Sequence, residues 1–452
     1  MYDYEIIIIG GGPGGTKCAS VLAKANKKVC LIEKEALGGA CLNRGCIPSK
    51  TYLYFGELLD SIKKAKRFGI QGPDPVINWE DVKKKKDMNM KILQMGLSNS
   101  LKLSGVTMLQ GIGELISKNE VKVKMENEEK IISAEKVVLA LGSKPFFPAM
   151  IKRGKHVITN REILNLDKLP QTLGIIGGGV IGVEMASAFS SLGSKVTIVE
   201  KLPGLIPTQD TEISSYLKKS LEKKGIEIHL NAEVMNCLDK ENSAEMTVKF
   251  ESGEEKLLSF EKILVAIGRR TVYDLNLLKK IGIENDGRRV LLNQNLQTNL
   301  ENVYMIGDSA WRNLTAYGAE KEGEFVAKHI LGLNSEINYE LMPVTIFSHP
   351  EVGQLGLTEQ DLQKKGINYE VKKSEYASNA KALIMNERDG FAKIIIEKTT
   401  SKILGVHIIG TQATEIIHQA ILPIMQGFTV EKWLEATWSH PTLSEILKTA
   451  LE

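Results

Sequence analysis

The sequence predicts an α/β chain in which two units with doubly wound sheets precede an α+β segment beginning at about Leu341. Three observations carry this. A strand, glycine turn, helix, strand pattern opens at Glu5, and the same pattern returns at Leu173. The length of 452 residues suits about three domains at roughly 100–200 residues each. With 43% hydrophobic and 25% charged residues, the composition is globular rather than disordered or fibrous.

The first pattern runs Ile6-Ile7-Ile8-Ile9, then Gly10-Gly11-Gly12-Pro13-Gly14-Gly15, a helix through Ala25, and Val29 to Glu33. Gly10, Gly12 and Gly15 supply the tight turn, the close backbone approach to a pyrophosphate and the helix–sheet packing, while the helix N-terminus faces phosphate charge. Glu33 ends the second strand, where a carboxylate accepts hydrogen bonds from a ribose. The second copy runs Leu173 to Ile176, then Gly177-Gly178-Gly179-Val180-Ile181-Gly182, a helix through Leu192, and Val196 to Glu200. Gly12 to Glu33 and Gly179 to Glu200 both span 21 residues. One glycine fingerprint is weak evidence, but each copy here has its strand, helix and terminal acid. Two Rossmann-like domains, each binding a dinucleotide, are the expectation. A carboxylate at Glu200 suits a free ribose hydroxyl and repels an extra phosphate, which favours NAD over NADP.

Between the copies, Val137 to Ala140 leads into the turn Gly142-Ser143-Lys144-Pro145, and Leu264 to Arg269, with Gly268, repeats that exit after the second copy. Val303 to Ile306 then runs into Gly307-Asp308, a strand ending in a carboxylate. The expected organisation is a first domain over 1–146, a second over 147–269, a return segment over 270–340 completing the first core, and a C-terminal domain over 341–452.

Charge excludes some functions. The 58 basic and 55 acidic residues leave +3, too small an excess to argue for nucleic acid. The run Lys83 to Lys86 reads as a solvated helix face. The apolar stretch Leu173 to Gly193 carries Glu184 and is better read as strand and phosphate loop than as a membrane span. The N-terminus has no basic start, so no signal peptide is expected and the cytoplasm is the expected location.

Five cysteines are too sparse for a stapled secreted scaffold. Cys18, Cys30 and Cys237 fall in apolar patterns and read as buried inert thiols. Cys41 and Cys46 stand in Gly38-Gly39-Ala40-Cys41-Leu42-Asn43-Arg44-Gly45-Cys46-Ile47-Pro48-Ser49-Lys50. On a regular helix their spacing turns them apart, so a disulfide needs a distorted turn, which Gly45 permits. A labile pair in a reducing compartment points to catalysis, with Arg44 and Lys50 near enough in sequence to stabilise a thiolate. A zinc site lacks its second pair of ligands, and no metal is expected.

Dithiol oxidation releases protons, which calls for a base near neutral pH. Two histidines precede proline: His349 in Ser348-His349-Pro350, and His440 in Ser439-His440-Pro441-Thr442-Leu443-Ser444-Glu445. Local pattern does not choose between them. Thr442 and Glu445 fit a capping box, which would make Glu445 only a cap.

Cys41 to Lys50 resembles the redox motif of the class I pyridine nucleotide-disulfide oxidoreductases, in the version typical of the dihydrolipoyl-oxidising members, and the resemblance spans the chain. It implies that the first fingerprint is an FAD site and the second an NAD site, followed by an interface domain through which the enzyme dimerises. The FAD site would include Gly10, Gly12, Gly15, Glu33, Lys50, Gly113, Gly142, Asp308 and Ala316, with Asp308 on the ribityl chain. The NAD site would include Gly177, Gly179, Gly182, Glu184, Glu200 and Gly268. Lys50 and Glu184 would pair near the flavin ring. Cys41 would exchange with substrate, Cys46 would lie beside the flavin, and His440, oriented by Glu445, would be the acid/base, reaching the partner subunit's cysteines in a homodimer. The implied reaction oxidises dihydrolipoyl groups on lipoyl proteins of 2-oxoacid dehydrogenase or glycine-cleavage type complexes and reduces NAD.

Trp438 and Tyr317 stand where such enzymes usually carry histidine, Leu141 where threonine is typical, and Thr271-Val272-Tyr273 interrupts the usual pattern after Arg269. A glutathione-type or mercuric reductase would run electrons the other way. Glu200, Leu443 beside Ser444, and the lack of an extra terminal cysteine pair weigh against it. A non-catalytic redox sensor is the reading of another class, distinguished by a cysteine pair that never exchanges electrons with flavin.

Overall fold

The computed structural model describes residues 1–452. The chain folds into two compact units, one of residues 1–48, 83–146 and 269–339, the other of 49–82, 147–268 and 340–452.

In the first unit, the strand Tyr4–Ile9 lies in parallel between Val29–Glu33 and Glu129–Leu139. Thr107–Gln110 extends the sheet beyond Val29–Glu33, and Val303–Met305 adds in parallel to Glu129–Leu139. The run Ile6 to Ile9 is continuously apolar because both faces are covered: Ile6 and Ile8 enter one core cluster, Ile7 and Ile9 the other. Ile112–Leu115 and Glu120–Lys124 continue the sheet in antiparallel order. Helices Pro13–Lys24 and Ala316–Ile330 cross on one face at two glycines. A Cβ on Gly323 would stand 2.2 Å from Gly14 O, so only glycine lets the backbones approach this closely.

In the second unit, Val157–Ile158, Lys262–Val265, Thr172–Ile176, Lys195–Val199 and Glu227–His229 form an all-parallel sheet. An antiparallel sheet of Glu233–Asp239, Ala244–Lys249 and Glu255–Phe260 accompanies it. The C-terminal part is a five-stranded antiparallel sheet with helices, as expected of an α+β domain. One core joins Leu173, Ile175, Val183 and Phe189 to Ile346, Val352, Phe391 and Ile409. Residues 49–82 belong here because Tyr52 and Trp79 pack on Phe189, with Tyr52 Oη donating to Leu164 O and Trp79 Nε1 to Leu166 O. The ammonium of Lys393, fully buried, binds Asp210, Glu212 and Glu359.

The lysine run departs from expectation. Lys84 and Lys85 are exposed, but Lys86 is fully buried on helix Trp79–Leu103 with its ammonium 2.9 Å from Asp87. The helix turns one lysine of four inward, which a count of charges does not reveal. No helix is long and apolar enough to cross a membrane.

Candidate active site

The two glycine turns perform the same three tasks. Gly10 and Gly177 have φ of +115° and +107°, and a side chain there would strike Ala140 O at 2.1 Å or Ala266 O at 2.6 Å. A Cβ on Gly15 would stand 1.9 Å from Gly10 O, and one on Gly182 2.0 Å from Gly177 O, so the helices Pro13–Lys24 and Val180–Ser191 begin against their own turns. At Gly12 the nearest atom to an added Cβ is Gly39 Cα at 3.9 Å, and at Gly179 nothing lies within 4 Å. These open backbones at helix N-termini are the cradle a pyrophosphate requires. The acids match too. Glu33 accepts from the N–H groups of Gly11 and Glu35, both at 2.7 Å, and Glu200 from those of Gly178 at 2.5 Å and Leu202 at 2.7 Å.

Asp308 follows Gly307, whose φ is +67°. Its carboxylate accepts from Ser143 Oγ and lies 3.4 Å from Arg269 Nε. Arg269 also donates to Ser143 Oγ at 2.6 Å and to Ser143 O at 2.9 Å across the paired strands Ser143–Pro145 and Arg269–Thr271. Gly142 and Gly268, with φ of +72° and +119°, turn the chain into these strands, and a Cβ on either would meet open space. Gly113 lies in strand Ile112–Leu115 against Ile9 and Ile32. Ala316 opens helix Ala316–Ile330, capped by Thr315, whose side chain accepts from Gly318 N–H.

Cys41 lies in helix Gly39–Arg44 and Cys46 opens helix Cys46–Ala65; Gly45, at φ −147° and ψ −111°, breaks the ladder between them. This is the interruption the cysteine spacing demands. A Cβ on Gly45 would stand 3.0 Å from Ala40 O. The segment springs directly from the first glycine turn: Gly38 N–H donates to Gly11 O at 2.7 Å, and a Cβ on Gly39 would reach Gly12 Cα at 2.7 Å. Asn43 ties it down, its Nδ2 donating to the carbonyls of Ala36, Leu37 and Gly39 while its Oδ1 accepts from Gln94. Arg44 pairs with Glu35. Both cysteines are half-buried. By contrast, burial pushes Cys18, Cys30 and Cys237 up to about 12, so these thiols stay protonated and inert.

One helical turn beyond Cys46, Lys50 Nζ donates to both carboxylate oxygens of Glu184, at 2.8 and 2.7 Å. Its ammonium stands 4.6 Å from the Phe347 ring centre, and Phe347 N–H donates to Glu184 Oε1 at 3.0 Å. The Glu184 side chain is buried and its charge fully matched.

The two histidines that local sequence could not separate differ sharply. His349 is half-buried, its Nε2 is enclosed without a partner, and desolvation lowers its pKa to about 4. It is therefore neutral at physiological pH. His440 has an exposed imidazole, with Nδ1 3.1 Å from Glu445 Oε1. Thr442 N–H donates to Glu445 Oε2 at 2.8 Å and holds that carboxyl below its usual range. That is one half of the expected capping box, and the other half does not form. Helix Glu445–Leu451 starts after Ser444, and the Thr442 hydroxyl turns away to Ser439 O. Glu445 is thus left with one oxygen on the backbone and one on the imidazole.

Sequence reasoning missed the Ser143–Arg269 clamp, the aromatic wall at Phe347 and the Asn43 hub. Asn43 carried a readable signal, a side-chain amide beside the broken helix. The other partners lie more than a hundred residues away in sequence and left no local sign.

Two nucleotide cradles, one with a cysteine pair growing from it, define a flavin- and nicotinamide-dependent disulfide oxidoreductase. Comparison with known proteins agrees. Residues 4–323 match the pyridine nucleotide-disulphide oxidoreductase family, residues 342–451 match its dimerisation domain, and the chain belongs to that family. It uses FAD and NAD. Over 99% of its length it is 35% identical to dihydrolipoyl dehydrogenase 1, mitochondrial, of Arabidopsis thaliana, of which 90% is covered. Over 98% it is 34% identical to dihydrolipoyl dehydrogenase of Bacillus subtilis (strain 168), of which 96% is covered. Among solved structures it is similar to the Cu(II) complex of the HOCl-induced flavoprotein disulfide reductase RclA from Escherichia coli, with a TM-score of 0.90 and 26% identity over 100% of this chain and 99% of that one.

Proposed function

We propose that this flavoprotein oxidises protein-bound dihydrolipoyl groups to lipoyl disulfides and reduces NAD+ to NADH. The observation that carries the reading is the cysteine segment rising from the Gly10–Gly15 cradle, Gly39 against Gly12, with its helix broken between Cys41 and Cys46. Bound FAD supplies the two-electron relay between the cysteine pair and NAD. Gly12, Glu33 and Asp308 would hold it, and Gly179 and Glu200 would hold NAD. A substrate thiolate attacks Cys41 Sγ of the oxidised pair, forming a mixed disulfide and releasing Cys46 as a thiolate. The second substrate thiolate attacks the mixed disulfide, closes the lipoyl ring and leaves Cys41 as a thiolate. Two electrons then rest on the cysteine pair. His440 accepts a substrate thiol proton, and Glu445 orients its ring and supports the imidazolium.

An imidazole as exposed as His440 is placed to serve a second subunit, which makes the homodimer part of this reading. Exposed apolar side chains at Tyr54, Leu58 and Ile62 fall at four-residue steps on one helix face, as an interface would have them. The partners are lipoyl domains of 2-oxoacid dehydrogenase or glycine-cleavage type complexes, the location is the cytoplasm, and the enzyme contributes to cell redox homeostasis. Purified protein should reduce NAD+ with free dihydrolipoamide, and turnover with individual lipoyl proteins ranks the partners. Failure with every dihydrolipoyl substrate, alongside NADH-driven reduction of other disulfides, would replace this reading with that of a reductase. Sedimentation and cell fractionation test the dimer and the location.

A further inference from the structure

A second carboxylate stands at the Gly307–Asp308 turn. Helix Ala316–Ile330 turns its buried stripe, Ala319, Glu322, Gly323 and Val326, toward the core, and Glu322 is fully buried in it. Its Oε2 accepts from Gly307 N–H at 2.5 Å and its Oε1 from Tyr339 Oη at 2.9 Å. A fully buried carboxyl is costly unless hydrogen-bonded, and the two bonds that offset this cost tie Glu322 to the amide next to Asp308 and to Tyr339. The charged and titratable groups facing it are Asp308, Arg312 and Tyr339. Asp308 is thus held from two directions, its side chain by Ser143 and Arg269 and its backbone, through Gly307, by Glu322.

We propose that Glu322, backed by Tyr339, is a positioning residue for FAD, fixing the Gly307–Asp308 turn so that Asp308 is presented to the flavin's polyol chain. This rests on the assignment of Asp308 to that chain. Both protonation states of Glu322 suit the pocket: the carboxylate accepts from both neighbours, and the acid accepts from Gly307 N–H while donating to Tyr339 Oη. Burial, with Asp308 nearby, raises its pKa to about 7. Its neighbour Gly323 packs on Gly14 of the first cradle, so an anionic diphosphate held there would raise that pKa further and FAD binding would take up protons here. By linkage, FAD affinity falls as pH rises through about 7.

The test is FAD dissociation from the purified protein, read by released-flavin fluorescence at about pH 6 and about pH 8, with circular dichroism as the control for folding. Glu322→Ala leaves Gly307 N–H without its acceptor and should weaken FAD retention about tenfold, the usual cost of leaving a buried amide unpaired. Glu322→Gln keeps both contacts. As a fixed neutral mimic of the acid, it should hold FAD at about pH 8 to within about threefold of what the wild type shows at about pH 6, and flatten the dependence on pH. Tyr339→Phe should fall between. Wild-type retention in a folded Glu322→Ala, or an unchanged pH profile in Glu322→Gln, overturns the proposal. Asp308→Asn separates the two assignments: if it retains FAD as the wild type does, the reading of Asp308 fails first.

Discussion

The two glycine turns are built from the same parts and part company at one point. Leu37 lies against Gly11 and Leu205 against Gly178; Gly38 N–H donates to Gly11 O at 2.7 Å and Ile206 N–H to Gly178 O at 2.8 Å. Beyond that, Gly38 and Gly39, at φ +95° and +58°, fold backbone onto Gly12 and lead into the cysteine helix. In the second copy Ile206, at φ +42°, precedes Pro207, and Gly179 stays open. A nucleotide kept in place and one that comes and goes need the same phosphate cradle. They differ in what the next few residues fold over it, and in the first copy the cover is also the redox group.

Cutting the sulfur arm of the first copy tests this most severely. Cys41→Ser should reduce dihydrolipoamide turnover to background while NADH still reduces the flavin, because on the proposed mechanism only the exchange thiol is lost. Rapid-mixing measurement of the two half-reactions decides it, and retained turnover would remove the redox role of the pair. The purified protein should be yellow in either case.

His440→Ala should slow dihydrolipoamide oxidation by about 10²–10⁴-fold, the usual worth of a positioned acid/base, and leave reduction by NADH nearly intact. A free thiol titrates near about 8.5, so the variant should recover part of its rate as pH rises toward that value. Glu445→Gln should lose less, since one amide oxygen remains for either Thr442 N–H or the imidazole and the base itself is kept. Equal loss in both half-reactions would point to damaged folding or assembly instead. His349→Ala should spare the thiol half-reaction, because that ring is too weak a base near neutral pH and its Nε2 is enclosed.

Glu200→Arg should move preference from NAD toward NADP by on the order of tenfold to a hundredfold, replacing repulsion of the extra phosphate with attraction. The NAD KM should also rise, because Gly178 N–H and Leu202 N–H lose their acceptor. Changing the matching acid of the first copy, Glu33→Gln, should alter flavin retention and not nicotinamide choice. Steady-state kinetics with both nicotinamides, together with flavin release, shows whether the copies are specialised as argued. A wild type that already prefers NADP would reverse the reading of Glu200.

Much of this was legible in the sequence because it is local. A glycine turn, the helix behind it and the acid ending the next strand lie within one short stretch, as do the two cysteines and Gly45. What was not legible is set by distant partners. His349 and His440 share a His-Pro context, and only the tertiary core encloses Nε2 of the first and leaves the second exposed. Thr442 and Glu445 have the spacing of a capping box, yet only its return bond forms, Thr442 N–H to the carboxylate, while the imidazole takes the other oxygen. Lys86 sits in a charged run and is buried by the register of its helix. Glu322 is the intermediate case: a glutamate on the buried stripe of an amphipathic helix is visible in the sequence, but its target, Gly307, is not.

The smallest expected effect is an opposite response of the two units to pH. In the second unit, burial lowers the pKa of His349 and of His407 to about 4. The unfolded chain takes up those protons first, so stability present above about pH 6.5 is lost as pH falls from there toward 4. That amounts to roughly 1–2 kcal/mol per histidine between about pH 8 and about pH 5.5. Asp210, held below its usual range by Lys393 in spite of burial, adds to the loss only in stronger acid, while Glu351, raised by burial, works the other way. In the first unit Glu322 is raised to about 7. The folded chain keeps that proton longer than the unfolded one, so stability is full in acid and is lost as pH rises from about 4.5 through 7, on the order of 2 kcal/mol of it between about pH 5.5 and about pH 8. Acid should therefore loosen the second unit first and mild alkali the first. Amide hydrogen exchange at the two pH values, corrected for intrinsic rates, should show protection falling about tenfold in strands Phe391–Glu397 and Ile403–Gly410 in acid. Helix Ala316–Ile330 should lose protection in alkali, and Glu322→Gln should abolish that loss while leaving the acid response unchanged. Parallel loss in both units at both pH values would mean that they unfold as one, and that these buried groups do not set the order.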